Sequence, residues 1–277
     1  MRIRMVALTL VAATLVVVSP AAGAQEVETR PNVIVIMTDD MRADLLTPKY
    51  MPSTYELLSS EGMMFTNAVS NIPNCCPARA SFLTGLLPRH HQVWVNVIKD
   101  SLGNSGGHGL FKELFESTGR YLPCWLEEAG YSTMLAGKYL NEYPFGQPKT
   151  FKENLYVPPC WTEWYGMNYA KSSSEDPVIP GSGGLLYKRY LNHDEVVLNQ
   201  HGRVRFVRWR SSSDNPYLKA GKADGTRSMA RPSGEITRKK NVKSVYATDV
   251  VTNRTRSFIR RKSEAGQPFF AFVSMYA

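Results

Sequence analysis

Three places in this 277-residue sequence set reactive side chains beside chain features that would orient them. The first is Cys75-Cys76-Pro77-Ala78-Arg79. Proline's fixed φ suits the first position of a helix, so the sequence predicts a helix from Pro77 to a stop at Gly85, with Cys75 just ahead of it. The amides and dipole at that N-terminus favour an anion, and Arg79 adds a rigid fork of donors. The second place is Asp39-Asp40, which closes the β-branched run Val33–Met37. Paired carboxylates offer the hard oxygen ligands that Ca²⁺ and Mg²⁺ take. The third is Gly137-Lys138, following the strand-like Thr133–Ala136, where an ammonium can act as a point charge. Plainer readings stand beside two of these. Cys75 could be a structural thiol or half of a disulfide, and an aspartate pair after a strand is commonly a turn or a helix cap.

Taken together, Cys75-Cys76-Pro77-Ala78-Arg79-Ala80-Ser81-Phe82-Leu83-Thr84-Gly85 resembles the signature of the type I sulfatases, C-x-[PS]-x-R followed by a helix ending in Leu-Thr-Gly. The resemblance implies that Cys75 is converted to formylglycine by a formylglycine-generating enzyme during maturation. It further implies that Arg79 and Lys138 hold the hydrate or the sulfate. Asp39, Asp40 and the modified Cys75 would ligate a divalent cation, Ca²⁺ first and Mg²⁺ second. Arg30 to Asp40 looks like the family's opening strand, and Gly137-Lys138-Tyr139-Leu140-Asn141-Glu142-Tyr143 resembles its G-K motif. That form of the motif, with Leu140 where many relatives have histidine, is similar to the N-acetylglucosamine-6-sulfatase and heparan endosulfatase branch, as is the doubled cysteine. The implied substrate is a sulfated carbohydrate carrying 6-O-sulfated N-acetylglucosamine, as in glycosaminoglycans. An arylsulfatase or phosphonate monoester hydrolase, and an inactive protein that only binds sulfated glycans, are the competing readings. His91 and Asn96 follow the signature and are candidate substrate contacts.

The elements that must position these residues alternate strand and helix. Val33–Met37 and Pro268–Ser274 are apolar runs of the kind buried on both faces of a parallel sheet. Ser53-Thr54-Tyr55-Glu56 reads as a capping box, Leu122–Ala129 as a helix stopped by Gly130, and the stretch from Tyr246 to Arg261 as another helix. The expected fold is α/β, a mixed and largely parallel sheet flanked by helices, as in the alkaline-phosphatase-like sulfatases. Residues from Lys171 to Arg238 read as a basic excursion of flexible loop with one hairpin, Tyr190 to Val207, turning at His201-Gly202.

Met1–Ala24 has the charged start, apolar run and small-x-small ending of a signal peptide, cut before Gln25, so the protein is expected to be secreted with no membrane anchor. In an oxidising compartment Cys124 with Cys160 is one conceivable disulfide. No CxxC or HExxH occurs, which argues against the common zinc sites. Leu185–Ser263 carries 19 Lys and Arg against 6 Asp and Glu, a field suited to polyanions, with no nucleic-acid motif to go with it. The resemblance covers Arg30 to Ala277 as the family's N-terminal catalytic part. The family's Pro-His general acid, its Asp-Asn ligands and a further lysine are expected beyond Ala277. The 277-residue chain is therefore expected to be a truncated domain, incomplete at its C-terminus and inactive alone.

Overall fold

The computed structural model describes residues 30–143, 156–168, 193–209 and 247–276. Pro31–Ala277 cluster as one compact unit. Its centre is a six-stranded sheet of β1 (Val33–Asp39), β2 (Ser132–Lys138), β3 (Glu163–Asn168), β4 (His193–Leu198), β5 (Val204–Trp209) and β6 (Phe269–Tyr276). The spatial order is β1-β6-β2-β3-β4-β5. β1, β6, β2 and β3 run parallel, and β4 and β5 continue the sheet antiparallel. The sheet is mixed and largely parallel, as expected.

β6 lies between β1 and β2, and every position along it is apolar until Ser274. Alternate residues of a strand face opposite sides. Phe270 and Phe272 enter a core shared with Cys76, Ala80, Leu83, Phe111 and Trp164, while Phe269, Ala271 and Val273 enter a second core with Val251 and Phe258. The first face is covered by α2 (Cys75–Thr84), α4 (Gly107–Phe111) and α5 (Leu122–Glu128). The second is covered by α6 (Ala247–Glu264), which packs on β6 and β2. Each buried phenylalanine contributes about 1.5–3 kcal/mol of transfer free energy, so this one strand stabilises both layers.

The structure corrects three expectations. β1 is not buried on both faces: it lies at the sheet edge, and Ile36 is 59% exposed. Its apolar run is matched on one side only by β6, and α6 packs on β6 and β2. The capping box is not formed. Helix α1 (Pro52–Thr54) starts with proline in its first turn behind Met51, with no side-chain cap, and passes into a π turn over Tyr55–Ser59. Finally, α2 opens at Cys75 itself, with Asn74 as the residue before it, so Pro77 is the third helical residue and not the first. Gly85 ends the helix with φ 69°, a left-handed conformation that glycine adopts freely.

The hairpin is present as β4 and β5, turning through Asn199–Arg203. The expected signal peptide, Tyr190, Tyr246 and most of the basic excursion lie outside the described residues. Cys124 and Cys160 are joined in a disulfide, leaving Cys75 and Cys76 as free thiols.

Candidate active site

Asp39 and Asp40 would point to opposite sides if β1 simply continued. Asp40 instead takes φ 58°, a left-handed turn that aspartate tolerates better than most residues. The turn brings both carboxylates and the Cys75 sulfur together, their ligand atoms lying within 4.8 Å of one another. Cys75 Sγ is 3.9 Å from Asp40 Oδ1. Opposite oxygen ligands around calcium stand roughly 4.6–5.2 Å apart, twice the usual bond length. Two carboxylates at this spacing fit a hard divalent cation, and an oxygen at position 75 would fit it better than the sulfur does.

Arg79 lies one helical turn beyond Cys75 and is buried. Its Nη1 donates to the carbonyls of Lys138 and Tyr139, at 3.0 and 3.1 Å, and to Ser274 Oγ at 2.8 Å. Its Nη2 donates to Asp39 Oδ1 at 3.2 Å. The other oxygen of Asp39 accepts from Lys138 Nζ at 2.5 Å. Two buried cations thus converge on one carboxylate, beside the open end of the sheet. Such a cluster attracts an anion, and charge-assisted hydrogen bonds in it are about twice as strong as neutral ones.

Lys138 reaches this point because Gly137 allows β2 to lie hard against β6. A Cβ on Gly137 would sit 1.9 Å from the Ser274 carbonyl oxygen, and its φ of 107° is one that only glycine adopts without strain.

The two neighbouring thiols differ. Cys76 is fully buried, and loss of solvent pushes its pKa up to about 12, which makes it inert as a nucleophile. Cys75, on the next residue, is partly exposed and faces the carboxylates. Among the described residues, the geometry therefore singles out Cys75 as the addressable thiol.

Residues 31–277, which contain these side chains, match the family model Sulfatase. The chain belongs to the sulfatase family. It is 30% identical over 256 residues to the N-acetylglucosamine-6-sulfatase of Capra hircus, covering 91% of this chain and 34% of that protein. It is 38% identical over 141 residues to the human N-acetylglucosamine-6-sulfatase, with coverage of 50% and 24%. An extracellular sulfatase SULF-1 homolog of Drosophila melanogaster is 36% identical over 140 residues, with coverage of 50% and 11%. The chain thus spans about a third of these relatives' length or less. Its fold is similar to that of yidJ from Bacteroides fragilis, with a TM-score of 0.55 at 18% identity over 92% of this chain and 46% of that one.

Of the residues predicted from sequence, Cys75, Asp39, Asp40, Arg79 and Lys138 are brought together. Asn96 also reaches this place, but as a cap: its Oδ1 accepts the Cys76 N–H at 2.8 Å, work that Asn74 does not do with its own side chain. His91 lies elsewhere. It contacts Ser81, six residues along α2 from Cys75 and so about 9 Å away in helix rise. The Val93 amide donates to its Nδ1 at 3.0 Å, which leaves Nε2 to donate to Ser81 Oγ at 2.9 Å. Burial lowers its pKa and keeps it neutral. Ser274 was not anticipated as a partner of Arg79. The available signal was its place as the first polar residue after the apolar run of β6.

Proposed function

We propose that the protein is a secreted sulfatase that hydrolyses sulfate esters through formylglycine made from Cys75, acting on 6-O-sulfated N-acetylglucosamine in glycosaminoglycans. The observation that carries this reading is the convergence of Cys75, Asp39 and Asp40 within 4.8 Å, with Arg79 and Lys138 both on Asp39.

In that reading a formylglycine hydrate offers two hydroxyls on one carbon. One attacks sulfur, the bond from sulfur to the substrate oxygen breaks, and the alcohol leaves with a proton. The second hydroxyl then loses its proton and the carbon collapses to the aldehyde, expelling sulfate. Arg79 and Lys138 bind and orient the sulfate oxygens, and Asn96 holds the start of α2 so that position 75 faces them. A divalent cation held by Asp39, Asp40 and residue 75 would polarise the sulfate and acidify the hydrate. Secretion is supported by the Cys124–Cys160 disulfide and by the extracellular Drosophila relative. No helix among the described residues is long and apolar enough to cross a membrane.

The test is intact mass and peptide mapping of the protein secreted by a host that makes formylglycine. Conversion at Cys75 lowers the mass by about 18 Da, through exchange of sulfur for oxygen and loss of two hydrogens. An unmodified thiol there overturns the proposal. Turnover of 6-sulfated glucosamine compared with aryl sulfate and phosphate esters then separates the carbohydrate reading from its enzymic rivals.

A further inference from the structure

Behind the site, on the other side of the segment that follows β2, lies a buried polar cluster that the chemistry above does not use. Glu116 ends a π turn, Lys112–Glu116, that continues α4, and its carboxylate is almost wholly buried. Its Oε1 accepts from Tyr139 Oη at 2.8 Å, and its Oε2 accepts from Tyr156 Oη at 2.6 Å. His108 Nε2 lies 3.2 and 3.3 Å from the two oxygens. The rings of Tyr139, Tyr143 and Tyr156 surround His108, and Trp164 Nε1 donates to Tyr143 Oη.

A carboxylate taken out of water costs several kcal/mol, and an apolar side chain of similar size would serve stability as well or better. What the carboxylate supplies is direction. Tyr139 directly follows Lys138. Its carbonyl and that of Lys138 both accept from Arg79, while its hydroxyl is held from the opposite side by Glu116. Two residues further on, the Asn141 carbonyl accepts the His108 amide at 2.8 Å. Residues 138–141 are therefore clamped between α2 on one side and α4 with its π turn on the other. Burial, reinforced by the Glu116 charge, raises the Tyr139 pKa well above its ordinary value, so the hydroxyl remains a donor. π turns inside helices are frequent at functional sites, where the extra residue re-aims a side chain.

We propose that Glu116 is a positioning residue of the anion cradle: by holding Tyr139 Oη it fixes the Lys138–Tyr139 carbonyl pair and, through that pair, the aim of the Arg79 guanidinium. The inference rests on the sulfatase reading only for the identity of the anion. Its action passes through Tyr139, whereas Tyr156 shares the same carboxylate without touching the carbonyl pair.

The experiment is a double-mutant cycle on the full chain with Glu116→Gln, Tyr139→Phe and the pair, with Tyr156→Phe as control. Two readouts are taken: hydrogen exchange of the Arg79 guanidinium by nitrogen-15 arginine NMR, and inorganic sulfate affinity by calorimetry. Each single variant is expected to speed Arg79 exchange and weaken sulfate binding roughly tenfold, the loss of one hydrogen bond to a charged group. The double variant is expected to be no worse than either single one, and Tyr156→Phe to stay within about twofold of wild type. Unchanged Arg79 exchange in Tyr139→Phe, additive effects in the cycle, or an equal loss in Tyr156→Phe overturns the positioning role. If wild type binds no sulfate yet Arg79 exchange follows the expected pattern, the positioning role stands and the sulfatase reading falls.

Discussion

Because Arg79 and Lys138 share Asp39, two substitutions at this cluster should differ sharply in their effect on stability. The side chains of Arg79 and Lys138 are each 2% exposed and that of Asp39 9%. Asp39→Asn leaves both cations facing a neutral amide. Breaking a buried pair from one side costs about 3–5 kcal/mol, and because this one change breaks two ion pairs the upper end, about 5 kcal/mol, is expected. Lys138→Met keeps the length of the side chain and removes its charge. A one-to-one pair of Arg79 with Asp39 remains, and apolar burial replaces a desolvated ammonium. The expected change is neutral, or a gain of about 1–2 kcal/mol. Anion binding should fall in the same variant, by about 2 kcal/mol or roughly thirtyfold in sulfate affinity, since a charge-assisted hydrogen bond is gone. Urea unfolding with both midpoint and slope recorded reads the first effect, and calorimetry with inorganic sulfate reads the second. The reasoning is refuted if Asp39→Asn unfolds within about 1 kcal/mol of wild type, or if Lys138→Met is the less stable of the two.

In protein whose Cys75 is unconverted, iodoacetamide at pH 8 should label Cys75 and spare Cys76. With a pKa of about 12, Cys76 is about one part in ten thousand thiolate at that pH, rising tenfold per pH unit towards 12. Fragment mass spectra distinguish the two, and early labelling of Cys76 would contradict its burial. Gly137→Ala should cost more than about 4 kcal/mol, because the added methyl meets the backbone of β6, which has no side-chain rotamer to yield. A variant melting within a few degrees of wild type would show that β2 can shift where this packing says it cannot.

Local pattern revealed much of this molecule. The continuous apolar run of β6, the glycine stops at Gly85 and Gly130, and the hairpin between Leu198 and Val204 were all legible, because each depends on neighbours in sequence. What was not legible depends on the rest of the sheet. Val33–Met37 and Phe269–Val273 are both continuous apolar runs, yet β6 lies between two strands and β1 pairs with one, so their exposure differs. Pro77 reads equally well as first or third helical residue, since neither position needs its missing N–H to donate within the helix. The cap on α2 comes from Asn96, 20 residues from its amide, and so escapes any rule about flanking residues. His91 follows the signature closely in sequence, but the short turn of α3 (Pro88–His91) carries it onto Ser81. Glu116 gave no signal, because a buried carboxylate in a helix looks like any surface glutamate until the tyrosines around it are known.

The order β1-β6-β2 also bears on the timing of assembly. β1 and β2 do not pair with each other; each pairs with a strand synthesised 136 residues after Lys138, counting to Ser274. At translation rates of about 5–20 residues per second, that interval lasts roughly 7–27 s. Until β6 inserts, Arg79 lacks Ser274, the carboxylates of β1 have no fixed distance from Lys138, and α2 has no aromatic floor to dock on. The Cys75 segment thus lacks its native packing partners on β6 throughout that interval. Any enzyme that must take this segment in extended form is given its interval by the strand order alone, and the same insertion that completes the anion cradle ends its access.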